Sequence, residues 1–419
     1  MGSLRSKMDV LAWAEDAMGG PVCQVRMGLL ASAVMKPGSQ WKKLREELGA
    51  QLPAMLTTLK AFVCAESPST EKAPTDACAE LIAGEWKKRA VEVEVLAQKH
   101  RGAHLRITKS ASDGKARRQL LVLGHYDTVY ASGTLAKMPY RERGGRVYGP
   151  GVFDMKAGIV QALFALDAIQ RSGATFAKQM VFLWTSDEEI GSESSRKLLE
   201  AEARRSDAVF VLEPSLGPRG LLKTARKGVG EAEIVVRGKS SHAGLAPEKG
   251  VNAIHELALQ IARAREWNDL PRGVSVNAGI VEGGTRTNVI PGSARGVLDL
   301  RARRASDMRM LERRLRGMKP ILPGARLEVR GGFSRAPMER KYCAALFARA
   351  ATLGKDMGLR ISECTAGGGS DGNFTAALGI PTLDGMGAVG DGAHSSGEYV
   401  VARAMPDRAA LLAALLLNS

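Results

Sequence analysis

The residues best suited to do chemistry stand at the ends of apolar runs. "QMVFLW" (Gln179 to Trp184) leads into "TSDEEIG" (Thr185 to Gly191), which places Asp187, Glu188 and Glu189 in a row. Neighbouring carboxylates repel one another, so a cation is needed opposite them. "RQLLVLGHYDTV" (Arg118 to Val129) is a second apolar run and ends on His125 and Asp127; "AVFVLEPS" (Ala208 to Ser215) is a third and ends on Glu213. Asp154 in "GVFDMKAG" lies where a Gly-rich loop enters a helical pattern, and His394 lies in "GDGAHSSGEY" near the end of the chain. Imidazoles and carboxylates without thiolates suit Zn²⁺ or a similar divalent ion used for hydrolysis. Metal is therefore the expected counter-charge to the acidic stretch.

Continuous apolar runs that end in polar groups are the pattern of buried parallel strands, and parallel sheets gather function at their carboxyl ends. Helical patterns alternate with these runs, which predicts an α/β fold: a mixed, mostly parallel sheet with helices on both faces. A helix is expected over 41–60, and Asp76 is the expected cap of a helix running through "ACAELIAGEWKKRA". After Pro218 the texture changes. "GVGEAEIVVRGKSSHAG" alternates as a half-exposed antiparallel strand does, and the order from there is βαββαβ, a compact α+β unit of roughly a hundred residues. From Pro337 onward helix and strand alternate again. The expected organisation is an N-terminal extension (1–40), a catalytic domain in two parts (41–217 and 333–419) and an inserted lid or dimerisation domain (218–332).

The chain of 419 residues is too long for one ordinary core. Its 45% hydrophobic and 25% charged residues are normal for a globular enzyme. No apolar run reaches the ~18 residues of a membrane helix, so no membrane partner is expected. The formal charge of +16 is scattered over mixed stretches such as "RARRASDMRMLERRLRGMK" (Arg301 to Lys319), without interleaved aromatics. Nucleic acid is therefore not an expected partner. The five cysteines are dispersed and form no C-x-x-C, which points to reduced thiols and a cytoplasmic chain. "VRMGLLASAVM" (Val25 to Met35) is short and apolar, but acids precede it; an extension is preferred to a secretory segment, and a processed N-terminus stays open.

In order along the chain, "GHYDTV", "GPGVFDMKAG", "TSDEEIGS", "LEPS", "GKSSHAG", "GGTRTNVIPG", "GGGSDGN" and "AHSSGEY" resemble the motifs of the M20 metallopeptidases. The nearest resemblance is to their glutamate carboxypeptidase (carboxypeptidase G-like) branch, and it covers nearly everything after the first forty or so residues. It implies a zinc-exopeptidase fold with two Zn²⁺ per subunit and a lid domain through which a homodimer forms. Carried over residue by residue, it implies His125 and Glu213 as ligands of one zinc and Glu189 and His394 as ligands of the other. Asp154 is implied as the bridging carboxylate, followed by a cis peptide to Met155. Asp127 is implied as the acid that orients His125, and Glu188 as the general base.

In the lid, the resemblance implies that His242 reaches the partner subunit's active site to stabilise the oxyanion. Asn288 and Arg301 are implied to hold the substrate's terminal carboxylate. The loop Gly367 to Asn373, with Gly368, is a further carboxylate-binding candidate, because backbone N–H groups ahead of a helix can bind anions.

The remaining residues have simpler readings. His100 and His104 sit around a polar turn and are expected to face solvent, His255 to lie on a helix surface or in a satisfied core, and Asp187 to support its loop. The expected activity is hydrolysis of an amide in a small peptide or N-acyl amino acid, releasing a C-terminal residue such as glutamate. An N-acyl amino acid deacylase of the acetylornithine or succinyl-diaminopimelate type is the alternative within the family. A non-catalytic, basic nucleic-acid binder is the alternative from another class.

Overall fold

The computed structural model describes residues 39–115 and 118–419. The expected extension, with its apolar stretch Val25 to Met35, lies outside the described residues apart from its last two positions. Two helices, α1 (Ser39–Ala50) and α2 (Leu52–Cys64), stand where one was expected. Pro53 explains the break: it lies in the first turn of α2, where its missing N–H is tolerated, and would interrupt a continuing helix. Helix α3 (Lys72–Lys87) begins ahead of Asp76, with Pro74 in its first turn. Asp76 is therefore not the cap; it accepts the Ala103 N–H at 2.8 Å and pairs with Lys72.

Next come β1 (Glu92–Leu96), β2 (His104–Lys109) and β3 (Gln119–His125), then a small hairpin of β4 (Arg141–Arg143) and β5 (Arg146–Tyr148). Helix α4 (Ala157–Ser172), β6 (Gln179–Thr185), α5 (Arg196–Arg204) and β7 (Ser206–Val211) complete the alternating part. Strands β1, β2, β3, β6 and β7 form a six-stranded sheet of order β1-β2-β6-β3-β7, with the short strand Thr382–Leu383 at the far edge beside β7. Strand β3 pairs in parallel with β6 and β7, while β1 and β2 run antiparallel at the other edge.

Strand β3 is buried along its whole length, which is why its sequence is continuously apolar. Successive side chains still point to opposite faces. Leu120 and Val122 join the core with Trp86, Phe182 and α4, whereas Leu121 and Leu123 join Val181, Val209 and α5 on the other face.

Strand β8 (Leu222–Arg226) leads out to β9 (Gly228–Arg237), β10 (Ser241–His242), α6 (Ala253–Arg265), β11 (Ser275–Gly283), β12 (Val289–Ile290), β13 (Ser293–Ala302), α7 (Ala305–Arg316) and β14 (Arg326–Arg335). The long strands make an antiparallel sheet of order β11-β13-β9-β14. Ile234, Val236, Leu298 and Leu300 on that sheet bury against Leu257 of α6 and Leu311 and Leu315 of α7, a core of its own. The chain returns through α8 (Ala344–Asp356), β15 (Glu363–Ala366), α9 (Gly372–Ala377), β16 (Thr382–Leu383), β17 (Gly390–Asp391), β18 (Tyr399–Val401) and α10 (Met405–Leu417). Strand β15 pairs in parallel with β8, and α10 is buried beside α4 in the main core. Among the described residues, Cys64, Cys78, Cys343 and Cys364 are free thiols, and no helix is long and apolar enough to cross a membrane.

Candidate functional site

Strands β6, β3 and β7 lie side by side and run the same way, so their carboxyl ends share one edge of the sheet. His125 is the last residue of β3 and is in register with Thr185 at the end of β6. A single helical turn, Glu188–Ile190, follows β6, and Glu213 follows β7. The fourth contribution is a loop: Asp154 sits in the turn that opens α4, and the Asp154–Met155 peptide is cis.

The two imidazoles face one carboxylate from opposite sides. His125 Nε2 is 3.2 Å from Asp154 Oδ1, and His394 Nε2 is 3.4 Å from Asp154 Oδ2. Glu213 Oε1 lies 3.5 Å from His125 Nε2. Both oxygens of Glu189 face His394 Nε2, at 3.1 and 3.0 Å. His125 Nδ1 donates to the Asp127 carbonyl at 3.1 Å, with the Asp127 carboxylate at 3.4 Å, which leaves Nε2 as the nitrogen that faces the acids. His394 adopts a left-handed backbone conformation with φ 62°, an unfavourable state that clusters at functional sites.

The electrostatics carry the same signature. Burial opposes a charge on His125, yet its hydrogen bonds to Asp127, Asp154 and Glu213 outweigh that and hold it well above the ordinary histidine range. Hydrogen bonds to Asp154 and Glu189 push His394 up to about 10. Burial alone would raise Asp154, but His125 and His394 hold it below the usual carboxylate range. Burial raises Glu189. A cluster in which several carboxylates face two imidazoles is one that a divalent cation fits. The donor set of nitrogen and oxygen, with no sulfur, fits zinc, and the split of Asp154 between two histidines fits a pair of ions. His125, Asp154 and Glu189, and separately His125, Glu188 and Glu213, bring ligand atoms within 4.8 Å of one another.

The three acids after β6 have different surroundings. Glu188 is buried, and Arg335 Nη2 lies 3.2 Å from its Oε1. Burial pushes Glu188 well above the usual carboxylate range, Arg335 opposes this, and Asp371 and Glu213 add to it. Asp127 holds the turn from below: its carboxylate accepts the Glu188 and Glu189 N–H groups, each at 3.3 Å, and the Ser69 hydroxyl at 2.7 Å. Asp187 faces away from the other two acids. Its Oδ2 accepts the Ser194 N–H at 2.6 Å and the Ser194 hydroxyl at 2.7 Å, a loop-holding role.

The candidates of the inserted unit, His242, Asn288 and Arg301, make no hydrogen bond to this cluster among the described residues, whereas Gly368, in the returning part of the chain, meets Arg226 behind Glu213. His242 is exposed on the β10–β12 ribbon, and its Nδ1 accepts the N–H groups of Gly244 and Leu245, both at 3.1 Å. Asn288 is exposed beside it, with its carbonyl accepting the Ala243 N–H. Arg301 makes a two-pronged pair with Asp299, at 2.9 and 2.7 Å. Gly368 is exposed and offers its carbonyl to Arg226 at 3.2 Å. His100 and His255 are exposed. His104 corrects the expectation of a solvent-facing residue. It is fully buried as the first residue of β2, with Ser186 against Nδ1 and Ser194 3.1 Å from Nε2, contacts between distant segments that a local polar turn does not reveal.

Sequence reasoning missed several charged residues around the site. Glu398 is fully buried and accepts N–H groups from Gly151, Phe153 and Asp154 at 3.1, 2.7 and 2.9 Å, together with the Tyr130 hydroxyl at 2.7 Å. It thereby ties the loop carrying His394 to the loop carrying Asp154. Arg335 reaches Asp371 and the Ser192 hydroxyl as well as Glu188, and its Nε has no partner among the described residues. Arg226 lies behind Glu213. The available signal was charge within apolar surroundings: Arg226 closes the run "LLKTAR", and Glu398 follows His394 by one turn's length of chain.

An open α/β sheet with imidazoles and carboxylates gathered at the carboxyl ends of adjacent parallel strands defines a metal-dependent hydrolase. Comparison with known proteins gives the same class and narrows it. The model of peptidase family M20/M25/M40 matches residues 121–418. The chain is 34% identical over 315 residues to carboxypeptidase G2 of Pseudomonas sp. (strain RS-16), covering 73% of this chain and 75% of that protein. It is 30% identical over 312 residues to succinyl-diaminopimelate desuccinylase of Dechloromonas aromatica (strain RCB), covering 70% and 81%. The crystal structure of aminopeptidase PepT from Bacillus cereus ATCC 10987 shares the fold, with a TM-score of 0.70 at 21% identity over 87% of this chain and 98% of that one. The chain belongs to the M20 family of metallopeptidases and related amidohydrolases.

Proposed function

We propose that this chain is a carboxypeptidase that hydrolyses an amide bond and releases a C-terminal amino acid, with glutamate or a similar acid preferred. The observation that carries the reading is the sharing of Asp154 between His125 and His394, with Glu188 buried alongside. His125, Glu213 and Asp154 would hold one zinc ion, and His394, Glu189 and Asp154 the other. Bound there, the pair would lower the pKa of water and polarise the scissile carbonyl.

Glu188 would take the proton of the attacking water and return it to the leaving nitrogen, and its burial beside Arg335 holds the carboxylate in place for both steps. Asp127 would keep Glu188 and Glu189 on opposite tasks by fixing both backbone N–H groups. Arg335 is the guanidinium beside Glu188, within reach of the same cluster, which makes it a better candidate for an anionic substrate group than Arg301, already paired with Asp299.

The resemblance to carboxypeptidase G2 supports the substrate class, and the relationship to a desuccinylase keeps a deacylase reading open, since both activities cut an amide. A panel of N-acyl amino acids and dipeptides ending in Glu, Asp, Ala or Leu, assayed with and without zinc, tests the choice. The expected result is highest kcat/KM for C-terminal Glu. A preference for N-acetylornithine or N-succinyl-diaminopimelate over every member of the panel overturns the carboxypeptidase reading.

A homodimer through the lid completes the proposal. Strand β11 is a sheet edge, and Ile280 and Val281 on it are 47% and 57% exposed, an apolar edge that a second copy would cover. His242, exposed and hydrogen-bonded only to Gly244 and Leu245 among the described residues, would reach the partner's site. Mixing inactive His242→Ala with an inactive metal-ligand variant such as Asp154→Asn should restore part of the activity, because some mixed dimers hold one intact composite site. No recovery at any mixing ratio places His242 outside the partner's reaction.

A further inference from the structure

We propose that Arg226 is a positioning residue that holds one oxygen of Glu213 out of metal coordination. The metal position made by His125 and Glu213 would then keep an open place. The inference rests on the two-metal reading given above.

The two glutamates differ in one respect. Both oxygens of Glu189 face His394, and among the described residues no basic side chain other than that histidine bonds either of them. The oxygens of Glu213 are divided. Oε1 faces His125, whereas Oε2 accepts Nη2 of Arg226 at 3.0 Å and has Lys223 Nζ at 3.9 Å.

Arg226 is not free to follow Glu213 elsewhere. It is 3% exposed, with Nε bonded to Asp384 Oδ2 at 2.6 Å and Nη2 to Asp384 Oδ1 at 3.1 Å. Its Nη1 is taken up by the carbonyls of Gly368 and Gly369, at 3.2 and 3.0 Å. Asp384 is itself fixed by the Ser370 hydroxyl at 2.6 Å and the Gly385 N–H. Each guanidinium nitrogen thus has an acceptor. Turning Oε2 of Glu213 toward a metal would break a charge-assisted bond and leave a buried N–H unpaired.

The His125 side therefore offers one imidazole nitrogen, one oxygen of Glu213 and one of Asp154. The His394 side offers a nitrogen, both oxygens of Glu189 and the other oxygen of Asp154. A catalytic zinc position keeps a place open for water or substrate. The open side is also where Glu188 lies, since its carboxylate groups with His125 and Glu213.

The test uses Co²⁺ as the probe, because its visible absorption weakens as ligands are added. The full-length chain and the double variant Arg226→Met/Asp384→Asn, which removes both members of the buried pair, are loaded with Co²⁺. Metal content, spectrum and affinity are then measured. In the variant, Glu213 is free to use both oxygens. The expected result is two ions in each protein, a weaker absorption band in the variant, and tighter binding of its less tightly held ion by about tenfold, the scale of one charge-assisted hydrogen bond.

Lys223→Met is the control. That lysine is near Glu213 without bonding it, so its band should not change. If the double variant does not fold, Arg226→Lys carries the same test, since an ammonium cannot hold Asp384 with two prongs and Glu213 together. Two ions with an unchanged band and affinity in a folded variant overturn the inference alone. Fewer than two ions in the unsubstituted chain overturn the two-metal reading, and this inference with it.

Discussion

Glu188→Gln should lower turnover by about 10²–10⁴-fold and leave the metal content unchanged. The substitution keeps the side chain's size and one oxygen, and removes only the ability to take and return a proton. The backbone of the turn stays pinned by Asp127, and Glu189 keeps both oxygens toward His394. Stability should hold or rise, because burial already penalises a charge on Glu188. Steady-state kinetics with metal analysis on the same sample checks this. Loss of metal from Glu188→Gln, or full turnover with metal retained, contradicts the division of labour between the adjacent glutamates. The matching substitution Glu189→Gln should do the reverse, with metal lost first and turnover lost as a consequence.

The second large effect is at Asp154. Asp154→Asn should weaken metal binding by more than ~100-fold, since even an outer partner of a metal ligand is worth 10–100-fold. Hydrolysis should fall to background. An amide has one acceptor oxygen, so the nitrogen that replaces the other carboxylate oxygen faces either His125 or His394 with a donor. The turn itself should survive, because Glu398 holds it through the Asp154 N–H and not through the side chain. The expected pattern is metal loss with little change in the thermal unfolding of the metal-free chain. A metal-free variant that unfolds far earlier than metal-free wild type makes Asp154 a structural residue first.

Much of this arrangement was legible in the sequence because strands advertise their ends. The apolar runs of β3, β6 and β7 stop where polar chemistry begins, and parallel pairing brings those stops together. The βαββαβ order of the inserted unit was equally readable, since its strands alternate and its helices carry apolar stripes. What stayed hidden depends on long-range contact. His104 looked like part of a polar turn, yet its partners, Ser186 and Ser194, come from the connection between β6 and α5. Arg226, Arg335 and Glu398 looked like ordinary charges; each is defined by a partner in a distant segment, Asp384, Asp371 or the Gly151–Asp154 loop. Helix boundaries shifted where proline sits in a first turn, as at Pro53 and Pro74. The roles assigned to Asn288 and Arg301 rest on resemblance, and Arg301 is paired with Asp299 within its own chain.

If His125, Asp154, Glu189, Glu213 and His394 form one two-metal centre, hydrolysis depends on both ions. Stripping the chain with a chelator and titrating zinc back, while following bound metal and hydrolysis of a dipeptide ending in glutamate, measures that dependence. No activity is expected in the stripped chain, and recovery should be complete at two bound ions per chain. Hydrolysis that persists after the metal is gone would contradict that dependence.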